Sequence, residues 1–156
     1  MLELKVFDKN MQQDVENFFQ KCFIDLGWGY DSAGRHIDIS DIHEAYMRNG
    51  CFWCLYESTL LIGTVAVRNI SMENTNEKIA ELKRMFVLKK YQGKGYGRLL
   101  LETVITYSRE NGFDKILLDT RIELHTAIKL YRKYGFVEIP AYNDNVKAEL
   151  FFEMKL

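Results

Sequence analysis

Proline occurs once in 156 residues and cysteine three times. With one proline, no low-complexity tract and no internal repeat, the chain offers no place for a linker. Its length suits one domain with a real core, so a single domain over residues 1–156 is expected. An odd number of cysteines argues against a disulfide scaffold and favours a reducing, cytoplasmic setting. No apolar run approaches the roughly 18 residues of a membrane span, and no basic-then-apolar leader opens the sequence. A soluble protein without a membrane partner is therefore expected. Neither charge sign dominates, with 21 Lys and Arg against 22 Asp and Glu. The broadly basic domain that nucleic acid calls for is absent.

Metal chemistry is also poorly provided for. Cys51 and Cys54 form a C-x-x-C, but "CFWCLYE" has the composition of a strand, where residues three apart face opposite ways. No second cysteine pair completes a zinc site. His36, His43 and His125 are isolated from one another and are expected to be ordinary surface or helix residues. No metal is predicted.

What the chain does have is a clear succession of elements. "LELKVF" alternates like a short strand. Val15, Phe18, Phe19, Cys22, Phe23 and Leu26 recur at helical spacing, with Asn10 and Gln13 placed as a capping box. Ser40 is positioned to cap a second short helix ending near Asn49-Gly50. Two strands around a turn near Ser58 come next, and "KIAELKRMFVL" reads as a third β-rich run. A helix face then comes from Tyr96, Leu99, Leu100, Thr103, Val104 and Tyr107. "KILLDT" is expected as a strand covered on both faces. A helix from about Leu124 to Lys133 closes at Gly135, and "FVEI" and "VKAELFFEMKL" end the chain as strands. The order predicts an α/β (α+β) fold, a mixed sheet with helices on it.

The most informative stretch is "VLKKYQGKGYGRLLLETV". Gly93, Gly95 and Gly97 alternate with larger residues and run into the helix that begins near Tyr96. The P-loop pattern fails because Lys94 is followed by Gly95, with no Ser or Thr. The dinucleotide fingerprint fails because Arg98 stands where its third glycine belongs. A strand, a glycine loop and a helix N-terminus still make an anion site, since free N–H groups and the helix dipole point the same way. From Lys83 to Arg98 there are six basic residues and no acidic one; a net charge of −1 overall leaves −7 for the rest. A local basic stretch on an acidic chain suits a polyphosphate ligand.

Gln92-Gly93-Lys94-Gly95-Tyr96-Gly97 resembles the Q/R-x-x-G-x-G/A motif of the GNAT superfamily of acetyl-CoA-dependent N-acetyltransferases. "AIKLYRKYGFVEI", from Ala127 to Ile139, is similar to that family's second segment, a tyrosine-bearing helix ending at Gly-Phe. The resemblance covers the whole element order and implies a mostly antiparallel sheet of about seven strands with about four helices. It further implies that Gln92, Gly93, Lys94, Gly95, Tyr96, Gly97 and Arg98 wrap the pyrophosphate of coenzyme A. Met85, Phe86 and Val87 would lie along its pantetheine arm, a backbone N–H near Phe86 or Val87 polarising the thioester carbonyl. The family often carries Asn where this chain has Leu124, so that contact is not carried over; His125 beside it is a candidate substitute.

In the family's reaction the acetyl group passes directly to an amine, so no cysteine is required. Tyr131 matches the tyrosine that protonates the coenzyme A sulfur. Glu81 lies eleven residues before Gln92, the spacing of the catalytic glutamate in histone-acetylating members, and is the candidate base, with ordered water as the alternative. The acceptor pocket is expected from Trp28, Tyr30, Asp31, Arg35 and Asp38, with Tyr142, Asn143 and Asp144 from the late loop. Aromatic and acidic groups there suit a cationic amine, whereas Arg35 or Arg84 suits a carboxylate. The reading is acetylation of a small-molecule amine by a homodimer, homodimers being common in the family. A protein lysine or N-terminus is the alternative acceptor, and a non-catalytic coenzyme A sensor the alternative of another class.

Overall fold

A computed structural model describes all residues from 1 to 156. Its seven strands are β1 (Leu2–Val6), β2 (Gly50–Glu57), β3 (Leu60–Asn69), β4 (Ile79–Val87), β5 (Lys115–Thr120), β6 (Val137–Ile139) and β7 (Leu150–Lys155). They form one sheet in the order β1-β2-β3-β4-β5-β7-β6. Every neighbouring pair is antiparallel except β4 and β5. Three α-helices lie on the sheet: α1 (Gln12–Leu26), α2 (Tyr96–Glu110) and α3 (His125–Lys133).

Residues 51 to 56 of β2 are all buried, which requires cover on both faces of the sheet. On one face Tyr56 donates its hydroxyl to Asp14 of α1 at 2.9 Å, and Phe52 packs on Tyr46 at 5.6 Å. On the other Trp53 meets Tyr107 of α2 edge-on at 5.1 Å. The α1 stripe Val15, Phe18, Phe19, Cys22 and Phe23 is fully inside, as its spacing predicts. Each such apolar side chain contributes about 1.5–3 kcal/mol on burial. The third helix, α3, is fixed by Tyr131, which packs on Phe136 and on Phe152 of β7.

Several local expectations are corrected. The N-terminus of α1 is not a capping box: Asp8 caps a preceding 3₁₀ turn by accepting from the Asn10 N–H, and α1 starts at Gln12 without a side-chain cap. The second helix is irregular, a 3₁₀ turn at Ile37–Asp41 running into a π turn at His43–Met47. Ile39, Ile42 and Tyr46 still form its buried stripe. Ser40 does not cap it; Asp41 does, accepting from the Glu44 N–H, while Ser40 Oγ donates back to the Ile37 carbonyl. The last strand begins at Leu150, because Asn145 and Ala148 close a turn instead. His36 is no surface residue. It is 5% exposed, tilted against Phe23 at 4.6 Å, and its Nδ1 accepts from the Asp31 N–H.

Candidate active site

The site begins with a defect in the sheet. β4 pairs with β5 at only three positions, Ile79, Ala80 and Glu81. Beyond Glu81 no strand pairs with β4 on that side, so those backbone groups between Leu82 and Val87 that point away from β3 border a gap. The register on the β3 side shifts in the same stretch: Thr64 faces Phe86 and Ala66 faces Lys83, leaving Arg84 and Met85 opposite Val65. Such a bulge bends the strand and re-aims the side chains beyond it. Arg84 takes φ 54 there, a left-handed conformation that costs a non-glycine residue about 1–2 kcal/mol. It is held in place from outside. Nε and Nη2 of Arg84 form a fork on the two oxygens of Asp38 at 2.9 and 2.8 Å, and Tyr46 donates to the same carboxylate at 2.5 Å. Burial pushes Asp38 up, but the Arg84 hydrogen bonds override it and leave the carboxyl below its usual range.

Two cavities meet at Met85, Phe86 and Leu124. The first, of 340 Å³, runs from Gln92 and Gly97 along Met85, Phe86 and Val87 to the start of α3. Its mouth is the glycine loop. Gly93 and Gly95 have φ of 78 and 86, so only glycine sits there without strain. A Cβ at either would meet no protein atom within 4 Å, which leaves the loop backbone open to approach. Gln92 Nε2 ties the loop to the Val87 carbonyl at 3.0 Å. Gly95 is the N-cap of α2 and gives no side-chain cap, so the first N–H groups of this helix lack the partner that Ser or Asp would supply.

The second cavity, of 410 Å³, opens on the other side of the bulge and is lined by charge. Asp119, at the end of β5, accepts from Asn143 Nδ2 at 2.6 Å and Asn145 Nδ2 at 3.2 Å, with Lys83 Nζ at 3.8 Å. Tyr131 reaches the same cavity from α3. It is 4% exposed, and burial, with Asp119 nearby, pushes its phenol above the ordinary value. A phenol so placed keeps its proton at neutral pH and can donate it.

The two cavities gather half of the predicted site residues. Met85, Phe86, Val87, Gln92 and Gly97 line the first cavity, as do Leu124 and His125, while Trp28, Arg35 and Tyr131 line the second. Several expectations change. Arg98 is paired with Glu102 at 2.7 Å, which also accepts from Tyr134, so its charge is shared before any ligand arrives. Tyr30, Asp31, Asp38 and Tyr142 do not line the acceptor cavity. Tyr30 packs behind it on Phe23 and His36, and Tyr142 donates to Glu81 Oε2 at 2.6 Å. Glu81 is 2% exposed, and Arg68 takes its other oxygen at 2.8 Å. Sequence reasoning missed Arg68, Asp119, Arg121 and Lys147. Asp119 alone left a trace, a lone acid closing an apolar strand; the others come together only through sheet register and the late loop.

Comparison with known proteins places this geometry. The model of the Acetyltransferase (GNAT) family matches residues 12–136. The chain is 30% identical over 128 residues to N-acetylaspartate synthetase of Xenopus tropicalis, covering 76% of this chain and 46% of that protein. It spans less than half the length of the curated relatives it matches. A GNAT-family acetyltransferase of Staphylococcus aureus Mu50 superposes with a TM-score of 0.85 at 21% identity, over 99% of both chains. A GNAT-family acetyltransferase of Brucella melitensis, solved with acetyl-CoA, gives 0.71 at 16% identity, over 99% of this chain and 88% of that one.

Proposed function

The chain belongs to the Acetyltransferase (GNAT) family, and from that premise we propose that it moves an acetyl group from acetyl-CoA directly to the amine of a small molecule. The observation that carries the reading is the unpaired edge of β4 between two cavities, one opening on an uncapped helix N-terminus and the other on Tyr131. The residues present suit coenzyme A: open backbone N–H groups for phosphate oxygens, and an apolar wall from Met85, Phe86, Leu124 and Leu130 for the pantetheine arm. When bound, acetyl-CoA supplies the acetyl group as an activated thioester.

The chain's own groups then divide the work. The Val87 N–H, on the open side of β4, stands where a carbonyl can be polarised, while Phe86 turns its own backbone groups to Thr64 of β3. Such preorganised donors are worth most where charge develops. Tyr131 holds a proton for the departing sulfur, placed in the wall of the acceptor cavity. The incoming amine is an ammonium at neutral pH and must give up a proton first. Glu81 serves as the proton sink only through an ordered water or the Tyr142 hydroxyl, because both its oxygens are engaged and it lines neither cavity. Asp119 lies in the cavity wall itself and is the nearer carboxylate to hold the ammonium.

Calorimetric titration with acetyl-CoA, followed by thiol release with amines, amino acids and peptides, tests the proposal. Binding with turnover on a small amine is the expected result. Turnover on peptides alone moves the acceptor to protein, and binding without any turnover moves the chain to a sensor.

A further inference from the structure

The acidic and aromatic groups that would serve a cationic acceptor are already spent on the protein. The Trp28 ring is covered by the Arg121 guanidinium, whose Cζ lies 3.9 Å from the ring centroid. A ligand ammonium finds no free aromatic face there. Asp38 is held by Arg84 and Tyr46, and Asp31 accepts from the Arg35 N–H at 3.2 Å. Asp119 is the less exposed carboxylate of the cavity; it already accepts from Asn143 and Asn145 and faces Lys83, and leaves room for a single ammonium at most.

The cations are in excess. Six of them line the cavity, Arg35, Arg68, Lys83, Arg84, Arg121 and Lys147, against Asp119 and Asp144. Counting Glu81, Asp38 and Glu123 against their arginine partners still leaves an excess of one. Arg35 and Lys147 are the unspent pair: both are exposed, both line the cavity, and neither has a salt-bridge partner. Arg68 and Arg84 stand behind them in fixed orientation, each engaged through Nε and Nη2 and each with Nη1 bonded to nothing. A planar guanidinium held from one side presents its remaining N–H groups as a rigid receptor for carboxylate.

We propose that the acceptor is a free amino acid, its ammonium set by Asp119 and its carboxylate selected by Arg35 and Lys147 at the cavity rim. Polyamines and other purely cationic amines are excluded by the same charges. The assignment rests on the acetyl-transfer reading above and deepens it by naming the acceptor class and the residues that choose it.

The test pairs turnover with binding. Thiol release is measured for a panel of amino acids, their methyl esters and putrescine, with wild type and with the Arg35→Glu, Lys147→Glu double variant. Binding of the same compounds to the coenzyme A complex is followed by calorimetry. Neither substitution removes a buried partner, so the variant should fold and keep its acetyl-CoA affinity. The expected result is a preference for an amino acid over its ester of about tenfold or more, lost in the variant and weakened by salt. Equal or better use of the ester or of putrescine overturns the acceptor class and leaves acetyl transfer standing. Carboxylate-selective binding without turnover supports the acceptor class and removes the transfer reading. Neither binding nor turnover overturns both.

Discussion

The two cavities share a wall at Met85 and Phe86 yet are made of different material. On the glycine-loop side the polar work falls to backbone N–H groups at an uncapped helix end, and the walls are largely apolar. Across the bulge it falls to side-chain charges, each anchored by a partner far away in sequence: Arg84 by Asp38, Arg68 by Glu81, Asp119 by Asn143. A backbone-built site suits a ligand that never changes. A side-chain-built site can be re-specified by substitution while the fold and the chemistry stay put.

The contrast can be broken most forcefully at the loop. Gly95→Asp should raise the acetyl-CoA Kd about 100-fold, close to 3 kcal/mol at 1.4 kcal/mol per decade. A carboxylate there repels phosphate, and at a φ of 86 it also costs about 1–2 kcal/mol of stability, so the Kd is read on the folded fraction. An unchanged Kd would mean that the loop holds no phosphate. Next comes Tyr131→Phe, for which kcat should fall roughly 10- to 100-fold with acetyl-CoA affinity intact, because the ring contacts to Phe136 and Phe152 survive. Full turnover would remove Tyr131 from the acid role.

A smaller effect should separate structure from chemistry at Glu81. Glu81→Gln leaves Arg68 facing a neutral amide; Arg68 is 38% exposed and therefore partly screened, so the loss is about 1–2 kcal/mol of stability. If Glu81 also takes the amine proton, kcat should drop about tenfold. A lower Tm with unchanged kcat would make it an anchor for Arg68 alone. The mildest test is pH. Burial first, then Arg84 and Arg35, hold the His36 pKa below the ordinary imidazole value. The folded state thus binds fewer protons than the unfolded chain in that window. Stability should be complete above about pH 6.5 and decline as pH falls below it. His36→Gln should flatten that decline, measured as Tm against pH. The Asp38 contribution persists until pH approaches the carboxylate range, so the two windows are distinct.

The same contrast governs what could be read from the sequence. Strand and helix periodicities survive in the structure, and so does the glycine loop, because a φ of 86 has to be written as glycine. Tyr131 was legible through its place between Ala127 and Gly135. The acceptor wall was not. Arg68 and Lys147 look like any surface cation, and what gives them meaning is a register across β3, β4 and β5 plus a loop 60 to 80 residues downstream. Glu81 carries the same lesson in reverse: its spacing suggested a free base, and only the fold reveals Arg68 and Tyr142 on its two oxygens. The irregular helix at 37–47 was misread for a related reason. Its hydrophobic spacing is helical, but Tyr46 reaches back eight residues to Asp38, a pull that periodicity does not record.

The parting of β4 from β5 has one more consequence. An open strand edge ordinarily invites other chains to pair with it, and proteins blunt such edges with charge or cover. Here the exposed rungs lie in the interior of a seven-stranded sheet, flanked by helices, where no second polypeptide sheet can slide in. Only something thin, extended and lined with amide groups can complete the ladder. The gap works as a filter on shape before any chemistry begins.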